Sequence, residues 1–362
     1  MEDNIKDKKK SGFIKKLLQL ILFLGLGIFF IWISVKDLTP EDIRIIKESA
    51  SKVNNPVSWI FLFLSLIFGA LAHYFRALRS IILIEPLHYK VRKSMSFYAV
   101  MVCYLANLAF PRLGEVLRCT FLQRYERVPF QKSLGTIVTE RALDLILWLF
   151  FLVIVILMNT SILSNLIIDK ANGISLGMWI QEKGMSLLTN YVLYILIGVV
   201  IILGIVVFLT RKWWGKIPFF VKVKNFFVGI WQGLISIKDV KRPVLFAVYT
   251  LGIWVAYFFG TYFCFFAFDF LAGLGPLPAF SVLIFGSIGF MIAQGGLGAY
   301  PLVVAGTLVL YGIDYNAGLA AGWVGWSVQT VMILIFGFAS LILASVSDRK
   351  AKAAVSQTNI EG

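Results

Sequence analysis

Six long apolar runs constrain the fold of this 362-residue chain more than any other feature of its sequence. A helix needs roughly 20 mostly apolar residues to cross the hydrocarbon core of a bilayer. The runs reach about that length and carry very few charges. They predict an all-α polytopic membrane protein with six full transmembrane helices. The predicted spans are Leu17–Val35, Val57–His73 (extendable to Ile84), Leu143–Met158, Tyr191–Thr210, Val244–Phe270 and Gly318–Val346.

Composition excludes the soluble classes that the length alone would allow. Hydrophobic residues make up 59% of the chain and charged residues only 15%, whereas a soluble domain is about 25% charged. The three cysteines, Cys103, Cys119 and Cys264, are odd in number and include no C-x-x-C pair, which excludes a disulfide scaffold and a thiol metal site.

Two further apolar stretches are interrupted by helix-breaking residues. Ser96–Phe110 ends at Pro111, and Ala279–Ala293 runs into the sequence Gln294–Gly298 before a second short run, Pro301–Ile313. Irregular backbone at membrane depth is tolerated only where protein or water surrounds it. We therefore expect two re-entrant broken-helix hairpins whose tips meet near the centre of the membrane.

Basic residues indicate the orientation of the chain. With both hairpins returning to the side from which they start, 28 of the 34 lysines and arginines fall on one side of the membrane. The positive-inside rule makes that side cytoplasmic. We therefore expect a protein of the cell (inner) membrane with both termini in the cytoplasm. The net charge of +15 is explained in this way without a nucleic-acid partner. The predicted cytoplasmic segments are 1–16, 74–94, 111–141, 211–242 and 347–362, of which the first and last are tails.

The two halves of the predicted membrane domain 17–346 resemble each other. Pro56 and Pro243 each follow an Asn or Arg and open a span, and Pro111 aligns with Gly295 when the second half is laid over the first. Each half, about 17–158 and 191–346, reads as two spans, a broken hairpin and a third span. Three full spans per half place the halves upside down relative to each other, which is the inverted repeat of many transporters.

Three arginines are the candidate contacts for a lipid headgroup. Arg112 and Arg118 follow the first hairpin tip, and Arg76 lies at the cytoplasmic end of the second span. Guanidinium groups offer planar forks of donors that suit a phosphate. The alternative interpretation is that these arginines are positive-inside residues that contact lipid headgroups at the surface.

Acidic residues near these arginines are expected to orient them and to offset their charge. Spacings of three place Arg112, Glu115 and Arg118 on one predicted helix face, and Glu140 and Asp144 share another. For Glu140, Arg141 and Asp144, the alternative interpretation is a structural ion-pair network at the start of a helix. The predicted supporting ion-pair residues are Glu115, Glu140, Arg141 and Asp144.

The second hairpin tip is the other candidate element of the site. Its glycines allow sharp turns and close approach to a ligand, and a helix that starts after them would present free N–H groups to an anion. Close helix packing is the alternative role. The predicted tip residues are Gln294, Gly295, Gly296 and Gly298.

Sequence signatures of enzymes are missing. The chain contains no G-x-x-x-x-G-K-[ST], H-E-x-x-H or G-x-S-x-G pattern, and no predicted segment outside the membrane is long enough for a catalytic domain. We therefore expect a protein that is not an enzyme, with no cofactor and no metal site.

Three ordered motifs resemble the flippase-like family, which is the lysylphosphatidylglycerol synthase transmembrane region. The motifs are PRLGEVLR at Pro111–Arg118, TIVTERALDL at Thr136–Leu145 and QGGLG at Gln294–Gly298, and HYFRALR at His73–Arg79 is similar to that family's arginine-containing end of the second helix. The resemblance implies a lipid-translocating domain, here expected as a stand-alone member because the chain ends shortly after its last predicted span. Family members often have Pro before the paired glycines and Glu shortly after, where this chain has Gln294 and Pro301.

These observations predict a lipid flippase-like transporter of the cytoplasmic membrane. Its expected substrate is a membrane phospholipid or other anionic, phosphate-bearing lipid, with aminoacylated lipids included. The alternative hypothesis is a membrane scaffold or accessory subunit whose partner is a separate lipid- or glycan-modifying enzyme.

Overall fold

The computed structural model describes residue 32 and residues 40–51, 56–110, 112–159 and 238–358. Within these ranges all regular structure is helical and no strand is present, which confirms the predicted all-α class. The predicted tail 1–16 and the predicted spans Leu17–Val35 and Tyr191–Thr210 lie outside the described residues, apart from Trp32.

The described ranges contain ten α-helices, which we number in chain order. Two single-turn 3₁₀ helices, Glu85–Leu87 and Gln294–Gly296, lie between them. The α-helices are α1 (Pro40–Ser51), α2 (Pro56–Ile84), α3 (Lys93–Ala109), α4 (Leu113–Glu126), α5 (Phe130–Met158), α6 (Pro243–Phe266), α7 (Asp269–Ala272), α8 (Pro276–Ile292), α9 (Ala299–Val309) and α10 (Tyr315–Thr358).

Four segments of the described chain are long and apolar enough to cross a membrane. They coincide with the four predicted spans that fall within the described ranges, and they are built on α2, α5, α6 and α10. Their bounds are Pro56–Leu87, Phe130–Met158, Pro243–Phe266 and Tyr315–Ser347.

Helix α5 begins well before the predicted span at Leu143, so Glu140, Arg141 and Asp144 lie inside a helix and do not open it. Pro129 fixes the extended backbone at its start. The first half of α5 contains polar residues, and their low hydropathy placed this part of the helix in a predicted cytoplasmic loop. Several of them are buried against protein, so this part of the helix does not need apolar side chains. They include Ser133, Thr136 and Thr139.

Both interrupted stretches form pairs of helices separated by a break. In the first pair, α3 leads into α4 through extended backbone at Phe110 and a left-handed residue, Arg112 (φ 61°). In the second pair, α8 leads through the 3₁₀ turn Gln294–Gly296 into α9. The two breaks contact each other, with α3 packed against the 3₁₀ turn.

From Pro56 and Pro243 onwards, the described parts of the two sequence repeats have the same order of elements. A long helix, a single turn, a 17-residue helix, a break, a second helix and another long helix occur in both. When Lys93 and Pro276, which start α3 and α8, are aligned, the left-handed residues Arg112 and Gly295 also coincide. The backbone therefore pairs Arg112, not Pro111, with Gly295, one residue from the alignment made on the sequence.

Helix packing places the charged motifs together. Helix α2 packs against α5 and α6, and α8 packs against the same two helices, so these four form a closed ring of contacts. Helix α4 packs on α3 and α5. The far side of α5 exposes large apolar side chains that suit a lipid environment, among them Leu145, Ile146, Leu149, Phe150 and Val153.

Close packing of α3 on α4 depends on Gly114, which gives our first prediction. A Cβ atom at Gly114 would lie 2.0 Å from the carbonyl oxygen of Cys103 and 2.7 Å from the Asn107 side chain. We expect Gly114→Ala to lower the free energy of unfolding by about 1–3 kcal/mol, as overpacking does. Thermal unfolding of the purified protein in detergent measures the change.

The matched control is Gly306→Ala on α9, where a Cβ atom meets nothing within 4 Å. This variant should be as stable as the wild type or more stable by up to about 1 kcal/mol, because alanine favours helix over glycine. Equal stability of the two variants would contradict the packing of α3 on α4 described above.

Candidate functional site

Two arginines of α2 share one carboxylate of α5. Arg76 and Arg79 lie one turn apart on α2 and are both buried. Nη1 of Arg76 lies 2.6 Å from Oδ2 of Asp144, and Nη1 of Arg79 lies 2.7 Å from Oδ1 of the same residue. These short charge-assisted bonds are among the stronger polar contacts in proteins. Asp144 therefore connects α5 to α2 through both of its oxygens.

A second buried ion pair lies one turn earlier on α5. Arg118 of α4 donates from Nη1 and Nη2 to the two carboxylate oxygens of Glu140, at 2.9 Å each. Nη2 also donates to the hydroxyl of Ser80 on α2 at 2.7 Å. The side chains of Arg118 and Glu140 are only 3% and 1% exposed. This bidentate pair connects α4 and α5, and the serine adds α2.

The third ion pair, between Arg141 and Glu115, lies nearer the surface. Nη2 of Arg141 is 3.0 Å from Oε1 of Glu115, and the two side chains are 43% and 23% exposed. The Asn107 side-chain amide donates to Glu115 at 3.4 Å and accepts the Gly114 backbone N–H at 2.8 Å. This outer pair therefore holds the first helix break to α5.

Arg112 is separate from these pairs. It is exposed, and it forms no ion pair with any residue in the described ranges. The predicted shared face of Arg112, Glu115 and Arg118 is wrong for Arg112, because this residue is the left-handed N-cap of α4 and stands outside the helix. Pro111 disfavours helical backbone at the residue before it, which separates α3 from α4.

The buried part of the cluster carries one positive charge in excess. Three arginines, Arg76, Arg79 and Arg118, face two carboxylates, Glu140 and Asp144. In the described part of the chain, Nε and Nη2 of Arg79 and Nε of the other two arginines are buried without a hydrogen-bond partner. Unpaired buried donors and charges are costly, so this arrangement favours binding of an anion.

Aromatic residues around Arg76 complete the site, and no sequence pattern pointed to them. The guanidinium lies 5.8 Å from the ring centroid of Tyr104, and its Nη2 donates to the Tyr257 hydroxyl at 3.5 Å. His73 is buried, with its ring 4.2 Å from that of Tyr104. Arg79 lies one turn after Arg76 at the predicted cytoplasmic end of the second span, where the sequence leaves open whether both arginines reach the same phosphate or extend to lipid headgroups.

The glycines of the second helix break lie close to other parts of the protein. A Cβ atom at Gly295 would lie 3.0 Å from the Leu108 side chain, and one at Gly296 would lie 2.7 Å from the Phe290 ring. Gly295, Gly296 and Gly298 all have positive φ, a conformation that glycine adopts readily. Gly295 therefore lets the second break lie close to the first, whereas Gly296 lets it lie close to its own helix α8.

One polar side chain joins the two breaks. The side-chain amide of Gln294 donates to the backbone carbonyl of Asn107, and the Trp326 indole N–H donates to the carbonyl of Gly295 at 2.8 Å. Through Asn107 and Glu115, the second break is linked to the outer ion pair at Arg141.

The site contains no arrangement suited to a metal within the residues that the structure covers. No group of three or more histidine, cysteine, aspartate and glutamate side chains there is placed to hold a metal ion.

Comparison with known proteins identifies the family. The family described as "Lysylphosphatidylglycerol synthase TM region" matches residues 16–337. No curated protein and no solved structure gives a significant match. The matched range includes every ion pair of the site, three of the four membrane-length segments and the first 23 residues of the fourth, Tyr315–Ser347. The chain belongs to the lysylphosphatidylglycerol synthase transmembrane-region family.

Proposed function

We propose that this protein is a flippase-like transporter that moves a phosphate-bearing lipid, with aminoacylated lipids included, across the cytoplasmic membrane. The excess positive charge buried among Arg76, Arg79 and Arg118 is the observation that carries this proposal. A lipid phosphodiester brings one negative charge, which balances the cluster, while its tails remain in the bilayer. The family match supports a membrane function related to lipids.

Asp144 has a defined role in this proposal. Its carboxylate binds Arg76 and Arg79 at 2.6 and 2.7 Å and so holds both guanidinium groups in place before a lipid arrives. The free Nε and Nη2 of Arg79 then donate to the phosphate. Arg118 is bound through both terminal nitrogens to Glu140. It contributes positive charge, and its Nε is the donor that remains for the phosphate. Arg112 meets the headgroup at the exposed tip.

We also propose a topology for the whole membrane domain. Six full spans and two re-entrant hairpins, related as an inverted repeat, place both termini in the cytoplasm. The matching order of elements and the left-handed residues Arg112 and Gly295 support the repeat. Contact between the two breaks supports hairpins whose tips meet inside the membrane.

Removal of the excess charge is the direct test of the proposed function. Arg79→Gln leaves the pairs Arg76–Asp144 and Arg118–Glu140 balanced, so the variant should fold. We expect it to translocate fluorescent phosphatidylglycerol about tenfold more slowly than wild type, because a hydrogen bond to a charged group contributes about 1.5–3 kcal/mol. Quenching of the fluorophore by an impermeant reductant, as labelled lipid reaches the outer leaflet of phosphatidylcholine vesicles, measures the rate.

Arg124→Gln is the matched control for that experiment. Arg124 is an exposed arginine of α4 outside the cluster, with its guanidinium near the Tyr125 ring, so its loss removes the same charge and should leave the rate unchanged. A wild-type protein that moves no lipid would refute the transporter proposal. Full activity of Arg79→Gln would refute the site.

Arg112→Gly separates the backbone role of Arg112 from the role of its charge. Glycine adopts the left-handed conformation without the penalty of about 1–2 kcal/mol that other residues incur, so the variant should be at least as stable as wild type. We expect it nevertheless to slow translocation several-fold in the same vesicles. A rate equal to that of wild type would show that Arg112 serves only the turn.

Cysteine labelling tests the proposed orientation. Thr120 and Gly275 are both exposed, whereas the native thiols of Cys103, Cys119 and Cys264 are buried and should react slowly. An impermeant maleimide should label Gly275→Cys in intact cells and Thr120→Cys only after the membrane is opened. The reverse pattern for either variant would contradict the hairpin topology.

A further inference from the structure

A cluster of aromatic side chains lies beside the arginine site, where three helices of the ring meet. The Phe151 ring of α5 lies 4.9 Å from that of Trp254 on α6 and 5.5 Å from that of Phe280 on α8. Phe258 of α6 lies 6.1 Å from Phe280. All four side chains are only partly buried. They offer an apolar surface that a lipid can contact.

The indole N–H of Trp254 has no acceptor in the described part of the chain, although Nε1 is buried. Two other tryptophans show the usual behaviour of this group. Trp148 donates to the Ser287 hydroxyl at 2.6 Å, and Trp326 donates to the Gly295 carbonyl at 2.8 Å. Buried indole N–H groups normally find an acceptor, and this group only donates. Trp254 is therefore a free donor in an apolar setting.

Helix geometry places this donor next to the proposed phosphate site. Trp254 precedes Tyr257 by three residues, or about 4.5 Å along α6, and the Tyr257 hydroxyl accepts from Arg76. Phe151 follows Asp144 by seven residues, about two turns along the same face of α5. The Phe151–Trp254 contact thus joins the two helix faces that carry Asp144 and Tyr257.

From the arginines of α2 to the aromatic cluster of α5, α6 and α8, the order of chemical groups matches the order of groups in a glycerophospholipid. Positive charge comes first, at Arg76 and Arg79, then a single donor at Trp254, with aromatic rings around it. In the lipid, a phosphate is followed by ester carbonyls one glycerol unit away and then by apolar acyl chains. A carbonyl oxygen accepts a hydrogen bond and never donates one, which is what the indole requires.

We propose that Phe151, Trp254, Phe258 and Phe280 form a second lipid subsite, in which the Trp254 indole N–H donates to an acyl ester carbonyl of the transported glycerophospholipid. The inference rests on the proposed transport function, because it assigns the glycerol-ester region of a lipid whose phosphate is bound by Arg76 and Arg79. It names the substrate class as diacyl lipids with ester linkages.

Paired ester and ether lipids test the subsite. Two fluorescent phosphatidylglycerols of equal chain length are used in phosphatidylcholine vesicles, one with ester-linked and one with ether-linked chains. Wild type should translocate the ester lipid about two- to tenfold faster, the range expected for one neutral hydrogen bond. Trp254→Phe keeps an aromatic ring and removes the N–H. This variant should move both lipids at the rate that wild type shows for the ether lipid.

Trp148→Phe is the matched control, because the indole N–H of Trp148 already has acceptors within the protein. It should retain the wild-type ratio of ester to ether rates. Thermal unfolding supplies an independent measurement. Both replacements lose ring area, but Trp254→Phe also removes an unpartnered donor, so it should lower the unfolding temperature less than Trp148→Phe, which loses two hydrogen bonds.

The outcomes separate the subsite from the transport function. Equal ester and ether rates in wild type, or an unchanged ratio in Trp254→Phe, would overturn the subsite while transport by the protein remained. Absence of translocation of either lipid by wild type would overturn the transport function itself. A stable Trp254→Phe protein that has lost only the ester preference supports the subsite.

Discussion

The buried ion pairs between α2, α4 and α5 are the interactions on which the rest of the structure depends. Charges are expensive to remove from water, and a buried pair is stable only when both partners are well placed. Asp144 binds two arginines and Glu140 accepts both terminal nitrogens of Arg118. Three helices must therefore meet at fixed distances, and the charged first half of α5 must be covered by protein.

The broken helix pair α3–α4 provides that cover. A continuous membrane-spanning helix would carry Arg118 away from Glu140, whereas the break between Phe110 and Leu113 turns the chain so that α4 returns beside α3 and against α5. Asn107 and Gly114 fit together at this turn, with a hydrogen bond of 2.8 Å and no room for a side chain on Gly114. The break and the ion pairs are thus parts of one arrangement.

The sequence predicts the local parts of this arrangement well. Apolar runs located the long helices, Pro111 and the Gln294–Gly298 segment located the breaks, and a spacing of four placed Glu140 and Asp144 on one face. The sequence does not predict which arginine pairs with which carboxylate. Asp144 binds arginines of α2 and Glu140 binds one of α4 only because of how these helices pack. Tyr104 and Tyr257 stand in apolar runs and become part of the site only through tertiary packing.

Charged side chains are divided unequally between the two repeats, because burying each of them costs free energy. Helices α8 and α9 and the 3₁₀ turn between them contain no Lys, Arg, Asp or Glu, although they match α3 and α4 in order. Each added buried charge would need its own partner, and a second cluster would double that cost. The second repeat instead contributes neutral contacts: the Gln294 amide, the Tyr257 hydroxyl and aromatic rings. Aromatic rings come from both repeats, since Phe151 of α5 contacts Trp254 and Phe280 of the second repeat, whereas the buried charge lies in the first repeat alone.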